Sequence, residues 1–328
     1  MKECTQHSIN KAGNWLVRVL FMPEKRPYSF LVQLIFTYTA KEIKYMNHKK
    51  AIMLTCVAAL MWSLAGNNIK MINWTPYAIA GGRSLIAMLL LTPMVLNGKK
   101  YWISRYVVGG ALCYAAFNYC FVASTKLTTS ANAIMLQYTA PIYVALFSWL
   151  FLKEHITKAD ILSMACVFAG MILFFMDQAG GGSTIGNIVA VFNGITFAGI
   201  SIFLRLQKNG NPVMSMYLGN IIAGVVGIPL IVKAGTLDRV SLSFLFLLGC
   251  MIALSYAIYA KASTGLSTLE TVIIPIIDPI MNPVWVFLTL GEKPGALSVL
   301  GAAIVLSAVM FRVIWGIKSE PFKKSVQE

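Results

Sequence analysis

Acidic residues are scarce in this chain. Twelve Asp and Glu stand against 27 Lys and Arg among 328 residues, and charged residues of both signs make up only 12%. That is about half the share of a soluble domain, while hydrophobic residues reach 58% and the mean hydropathy is +0.72. A soluble fold of this size has no way to bury so much apolar surface. Histidine is nearly absent, and His7, His48 and His155 all fall outside the apolar runs. No HExxH, GxSxG, P-loop or GxGxxG pattern occurs. Besides Asp278 the apolar runs hold only Asp160, at the very edge of one of them, so the second mid-membrane aspartate of an intramembrane aspartyl dyad is lacking. An enzyme is not expected, nor a cofactor or a bound metal. The cysteines Cys4, Cys56, Cys113, Cys120, Cys166 and Cys250 show no CxxC spacing and mostly sit in apolar runs. They read as small buried hydrophobes. The net charge of +15 does not indicate nucleic acid, because the basic residues lie between apolar runs and form no stripe along one face.

What is present is a series of apolar runs, each near the roughly 20 residues that cross a bilayer. Ten are read, at about 51–69, 76–96, 106–124, 128–152, 159–176, 186–205, 212–232, 241–260, 266–290 and 296–316. The links are too short for a soluble domain, and nothing suggests the charged rings or filter loops of a channel. With the N-terminus inside, the inner loops and tails hold Lys41, Lys44, Lys49, Lys50, Lys99, Lys100, Arg105, Lys153, Lys158, Arg205, Lys208, Lys261, Arg312, Lys318, Lys323 and Lys324. The outer loops hold only Lys70, Lys126, Lys233, Arg239 and Lys293. This asymmetry predicts a multi-pass plasma-membrane protein with both termini cytoplasmic. Residues 1–45 surround one short apolar stretch, SFLVQLIFTYTA, and read as a disordered or surface-lying extension without assigned function.

A short phrase occurs twice: ASTKLTT at 123–129 and ASTGLST at 262–268. Other marks recur at nearly the same offset. Pro76 and Pro93 bracket the second span as Pro212 and Pro229 bracket the seventh, 136 residues on (212 − 76 and 229 − 93). PIYVALFSWLFLKE (141–154) aligns with PIMNPVWVFLTLGE (279–292). The marks keep their order, so the chain reads as a duplicated five-span unit over 46–178 and 184–316, with a cytoplasmic tail at 317–328. Five is odd, so the second copy enters from the opposite side. Inverted repeats of this kind place two quasi-equivalent gates around one central site. A duplicated membrane scaffold without transport is the competing reading.

Ten spans as five plus five, the paired "Pro … Leu-x-Glu" endings, Trp62-Ser63 in the first span and Arg83 in GGRSLIAMLLL give the chain a family likeness. It resembles the EamA-type branch of the drug/metabolite transporter superfamily over about residues 50–316. The resemblance implies an all-α integral membrane fold of ten transmembrane helices in two inverted repeats. It further implies a central cavity walled mainly by spans 1–4 and 6–9, with spans 5 and 10 peripheral. The implied activity is secondary transport of small metabolites, amino acids or organic cations, often export. The implied partners are a small-molecule substrate and the lipid bilayer, and a homodimer is left open.

Charges inside hydrocarbon are costly, so each needs an account. Asp278 lies near mid-depth of the ninth span and is the leading candidate for substrate binding and proton coupling. On a continuous helix Ser267, Thr271, Asp278 and Asn282 share one polar stripe. The segment PIIDPIMNP carries Pro275, Pro279 and Pro283, which free the carbonyls of Thr271, Pro275 and Pro279. A broken helix bearing a carboxylate at mid-membrane suits a binding site, and a kinked packing helix is the alternative. Glu270, near the inner surface, is either a proton or gate residue or a hydrated, snorkelling one. Arg83 pairs with Asp278, holds a substrate carboxylate, or caps carbonyls. Tyr114 and Asn118 share a face of the third span, alongside Phe117 and Phe121. Asn132, Gln137 and Tyr138 come from the fourth, where Pro141 frees the Gln137 carbonyl, Ser255, Tyr256 and Tyr259 from the eighth, and Trp62 from the first. Aromatic and amide groups suit an amphiphilic metabolite or organic cation, though each alone also serves as interhelical glue. Glu154 and Glu292 read as interface anchors.

Overall fold

A computed structural model of the chain describes residues 46–96, 103–128, 130–153, 157–176, 183–207, 212–281 and 296–319. Every regular element among the described residues is helical. Helix α1 (His48–Ser63) passes through Leu64 into α2 (Ala65–Lys70), and α3 (Pro76–Leu96) and α4 (Arg105–Leu127) follow. Helices α5 (Ser130–Gln137) and α6 (Ala140–Phe147) form one interrupted span that ends in a π-helical turn, Ser148–Leu152. The next four are α7 (Lys158–Met176), α8 (Thr184–Leu206), α9 (Pro212–Ala234) and α10 (Arg239–Ala262). The short α11 (Glu270–Ile273) runs into a 3-10 turn, Ile274–Ile276, and helical residues continue to 281. The last helix is α12 (Ala296–Ser319), which carries three residues of the expected tail, 317–319. The extension 1–45, Glu154, Asn282 and Glu292 lie outside the described residues, as do the side chains of Asn67 and Asn132.

Local chemistry accounts for the boundaries. Asn47, Ser104 and Asp238 cap α1, α4 and α10 by accepting hydrogen bonds from the N–H groups of Lys49, Val107 and Ser241. Pro76 and Pro212 open α3 and α9, where a missing N–H costs nothing. Gly235, at φ 77°, stops α9 in the left-handed region that glycine tolerates. Helices α3, α4, α8, α9 and α10 are each long and apolar enough to cross a bilayer unbroken. The first, fourth and ninth expected spans are interrupted instead, at Leu64, at Tyr138–Thr139 and at Ile274–Ile276. The latter two breaks coincide with Pro141 and Pro275, as the sequence predicts.

The packing has a regular pattern. Helix α3 packs on α9 and α7 packs on α12, while α4 packs on α8 and α9 and α10 packs on α1 and α3. Exchanging each span for the one five places on maps this set onto itself. Second-on-seventh and fifth-on-tenth are unchanged; third-on-sixth becomes eighth-on-first, and third-on-seventh becomes eighth-on-second. The central crossing is tight, because a Cβ on Gly81 of α3 would sit 2.6 Å from the Cα of Gly227 of α9. Small residues let helices approach this closely within a bilayer.

The two copies of the repeated phrase take matching places at opposite ends of the bundle. At one end Leu127 and Thr128 abut the start of α8, where a Cβ on Gly186 would meet the Thr128 Cβ at 2.8 Å. Thr128 Oγ1 also donates to Asn187 Oδ1 at 2.8 Å. At the other end Gly265 abuts the start of α1, where a Cβ would meet the Met46 carbonyl oxygen at 2.7 Å. The core between these ends is apolar and aromatic, with Tyr114, Tyr138, Tyr259, Phe197, Met216 and Leu248 fully buried. The outer surface is apolar too. Met53, Val57, Leu89, Leu112, Trp149, Phe151, Ile188 and Val226 are all exposed, as a lipid-facing belt requires.

Candidate functional site

A narrow, partly open cavity of about 30 Å³, room for no more than a few waters, lies in the middle of the bundle. Its walls are Trp62, Ala65, Arg83, Phe117, Phe121, Gln137, Phe197, Ile252, Tyr256 and Asp278. Every span expected to wall it contributes except the seventh. Most of the lining sits toward the end that carries Thr128 and Asn187. Arg83 is in the second turn of α3, Phe121 in the last two turns of α4, and Ala65 opens α2. Toward the opposite end, α10 from Ile252 onward is almost wholly buried, as are residues 268–276.

The apolar wall is aromatic. Trp62 lies 4.7 Å from Tyr256, Tyr114 lies 4.8 Å from Tyr256, and Phe117 lies 5.4 Å from Phe197, all centroid to centroid. The Trp62 indole N–H donates to Ser255 Oγ at 2.8 Å, which fixes the ring. Rings packed at these distances gain from offset and edge contacts beyond their buried area.

Two charged groups face this wall. Arg83, 3% exposed, donates through Nη2 to the carbonyl oxygen of Asn118 at 3.2 Å and to Asn118 Oδ1. Asn118 is braced in turn, donating from Nδ2 to Ser84 Oγ at 2.6 Å. The guanidinium carbon stands 5.7 Å above the Phe121 ring. Arg83 Nε is buried and has no hydrogen-bond partner. Asp278 is held by a single contact, the Tyr138 hydroxyl at 3.1 Å from Oδ2. Among the described residues the one ion pair is His48 with Glu270. Arg83 and Asp278 therefore share a cavity without pairing, and of the three readings of Arg83 the hydrogen bond to the Asn118 carbonyl matches the capping one.

The proline-freed carbonyls find tyrosines. Pro279 removes the donor that would satisfy the Pro275 carbonyl, and the Tyr138 hydroxyl lies 2.7 Å from that oxygen. Pro275 does the same to the Thr271 carbonyl, which accepts from the Tyr259 hydroxyl at 3.2 Å. Tyr259 also exchanges a hydrogen bond with Ser201 at 3.1 Å. The broken backbone of the ninth span is thus stabilised by side chains from the fourth and eighth.

Several expected site residues take other places. Thr271 does not join the cavity, since its hydroxyl donates to the Thr268 carbonyl at 2.6 Å. The stripe through Thr271 and Asp278 assumed a continuous α-helix. A 3-10 turn of three residues advances about 20° more per residue and shifts the pair only from about 20° apart on one side to about 40° on the other, so it is the capture of the Thr271 hydroxyl within its own turn that takes it out of the site. Asn118 and Tyr138 position the charges rather than line the space. Tyr114 meets Tyr256 edge to face, and its hydroxyl oxygen accepts from Asn220 Nδ2 at 3.3 Å. Gln137 does reach the cavity, with its Oε1 accepting from Asn193 Nδ2 at 2.7 Å.

Glu270 is neither hydrated nor near the cavity. It is 3% exposed, and Oε2 accepts from the N–H of Ser267 at 2.8 Å and from its hydroxyl at 3.0 Å. Ser267 Oγ reciprocally accepts from the Glu270 N–H at 3.4 Å, which makes a capping box for α11. His48 Nε2 lies 3.1 Å from Oε1 and ties the cap to α1. His48, expected outside the spans, is the first residue of α1. Phe197, Ile252, Ala65, Ser84 and Asn193 belong to the site and were not expected. Asn193, an amide in the middle of an apolar run, carried a readable signal. So did the Ser267-x-x-Glu270 spacing.

A polytopic helical bundle with a lipid-facing belt and a central charged, aromatic cavity defines a multi-pass membrane protein of the transporter kind. The sequence model of the EamA-like transporter family matches residues 49–176, which supports the resemblance to EamA-type drug/metabolite transporters. The pseudopaline exporter CntI of Pseudomonas aeruginosa is 24% identical over 271 residues, covering 79% of this chain and 94% of that protein. Solute carrier family 35 member G1 of Mus musculus is 23% identical over 129 residues, covering 36% of this chain and 34% of that protein. A solved crystal structure superposes with a TM-score of 0.69 at 14% identity, covering 83% of this chain and 99% of the other. That likeness is one of fold.

Proposed function

We propose that this chain is a secondary transporter of small dipolar metabolites, amino acids or related compounds, and that it works as an exporter by alternating access. One observation carries the reading. A buried guanidinium with an unpartnered N–H and a buried carboxylate face the same aromatic-walled cavity without neutralising each other. Uncompensated charges in low dielectric are retained for use. A solute with a carboxylate for Arg83 and an ammonium for Asp278 would compensate both, its apolar part lying against Trp62, Phe117, Phe197 and Tyr256. Asp278 serves as the cation and proton site.

The pattern of packing under five-span exchange supports two inverted five-helix repeats. The matched seats of the repeated phrase support two gates. On the orientation given by the basic loops, the lining lies toward the outside and the inner side is sealed by α10 and the broken ninth span. This is an outward-facing arrangement. Export is favoured by analogy with the exporter that the chain resembles over most of its length. Efflux of organic cations is the second reading: Asp278 and the aromatic wall favour it, and the partnerless Arg83 Nε speaks against it.

The test is uptake into inside-out vesicles under an imposed pH gradient, scanned over amino acids and organic cations. Asp278→Asn is expected to keep membrane abundance and lose most transport. Wild-type rate and pH dependence in Asp278→Asn would falsify the role given to that carboxylate.

A further inference from the structure

The Tyr138 hydroxyl carries one proton and stands between two acceptors: the Pro275 carbonyl at 2.7 Å and Asp278 Oδ2 at 3.1 Å. Tyr138 belongs to the break in the fourth span, Pro275 belongs to the break in the ninth, and Asp278 follows that break by two residues. The hydroxyl therefore bridges the two halves of the chain where a break in one meets a break in the other.

We propose that Tyr138 is a positioning residue that reports the charge on Asp278 to the backbone of the ninth span. When Asp278 holds a proton, its carboxyl O–H donates to the tyrosine oxygen, and the tyrosine O–H donates to the Pro275 carbonyl. Every group in the chain is then satisfied. When Asp278 gives up that proton to the cavity, the carboxylate becomes the stronger acceptor, since hydrogen bonds to an ionised oxygen are about twice as strong as neutral ones. The tyrosine proton swings to Oδ2. The Pro275 carbonyl then keeps only the N–H of Ile277, too near along the chain for a straight bond, because Pro279 has no N–H to offer it. A buried backbone carbonyl does not stay unpaired at no cost, so the segment 274–281 loosens. Neutralisation of Asp278 by a proton or by a substrate cation closes the break, and ionisation opens it. The other titratable groups facing this point are Arg83 from α3 and Tyr256 and Tyr259 from α10. Arg83 stays charged throughout, and Tyr259 is committed to the Thr271 carbonyl and Ser201.

This inference deepens the proposed transport function and rests on the same cavity, yet its test needs no substrate. The full-length protein in lipid nanodiscs is titrated while two signals are read. Infrared difference spectroscopy follows the Asp278 carboxyl band, identified by its loss in Asp278→Asn. Amide hydrogen exchange over residues 274–281, corrected for the intrinsic pH dependence, follows the break. In the wild type, exchange is expected to rise at least several-fold with the midpoint of the carboxyl titration. Asp278→Asn should show no step. Tyr138→Phe should exchange fast at every pH. Pro279→Ala is the decisive variant, because it restores an N–H for the Pro275 carbonyl and leaves Tyr138 in place. There Asp278 should still titrate while exchange stays slow throughout. If wild-type exchange is flat through the carboxyl titration, or if Pro279→Ala keeps the step, the proposal is overturned. A protein that passes this test and moves no solute in vesicles would instead refute the transport reading alone.

Discussion

Replacing Asn118 with leucine isolates the clamp that holds Arg83. Asn118 is 2% exposed, so the change takes place out of contact with water. The leucine removes Oδ1 as an acceptor of the guanidinium but keeps the Asn118 backbone carbonyl, 3.2 Å from Nη2. Ser84 loses a donor yet keeps its own bond to the Ala80 carbonyl at 2.8 Å. Leucine has the same number of side-chain heavy atoms in the same branched shape and bulkier termini, so no cavity is created, and any overpacking adds to the cost. What is lost is one hydrogen bond to a charged group, worth about 1.5–3 kcal/mol in proteins generally. Polar pairs measured inside bilayers reach only about 1.7 kcal/mol. A destabilisation of about 2 kcal/mol is expected, read by thermal unfolding in detergent or nanodiscs. The pairing with Arg83→Met makes the test sharp. With both partners apolar no buried charge is left over, so the double variant should cost about 1–2 kcal/mol less than the two single changes added together. Asn118→Leu within about 0.5 kcal/mol of wild type, the range of an unremarkable surface change, would refute the clamp. So would strict additivity with Arg83→Met.

Glu270→Gln keeps the acceptor for the Ser267 N–H, and a capping box works with Gln as with Glu. Membrane abundance and the pH dependence of transport should therefore stay close to wild type, while Glu270→Ala should cost about 1 kcal/mol in unfolding measurements; a flattened pH profile in Glu270→Gln would return Glu270 to proton coupling. Reporter fusions after residues 181 and 210 should give opposite signals, outside and then inside, and like signals from both would defeat the inverted arrangement.

The sequence was most informative where chemistry is expensive. A carboxylate and a guanidinium in hydrocarbon, and three prolines four residues apart, announce themselves because each violates a rule of the bilayer. Arg83, Asp278 and the break in the ninth span were legible for that reason, as was the kink before Pro141. Phe197 and Ile252 were not. An apolar residue in an apolar run carries no mark of which face it presents, and only the packing of α8 and α10 around the cavity selects them. Thr271 misled because its hydroxyl is taken up by the carbonyl three residues back, which a helical projection does not show. The link between His48 and Glu270 joins residues 222 apart, which no local pattern reveals, although the cap half of it was written in the Ser267-x-x-Glu270 spacing. The proline-freed carbonyls could be named in advance; their tyrosine partners could not, because Tyr138 and Tyr259 come from other spans.

The crossing of Gly81 with Gly227 bears on how such a chain was inherited. At the repeat offset of 136, Gly81 corresponds to Tyr217 (81 + 136) and Gly227 to Leu91 (227 − 136). Two copies of the first half, set in this arrangement, would put a leucine side chain where Gly227 now admits the Gly81 backbone. Two copies of the second half would put a tyrosine ring in the place of Gly81. Neither half can serve as its own partner at the centre of the bundle. On the reading of a duplicated five-span unit, an ancestor that paired with itself crossed at different residues or at a wider spacing, and the two halves of this chain no longer substitute for one another at that crossing.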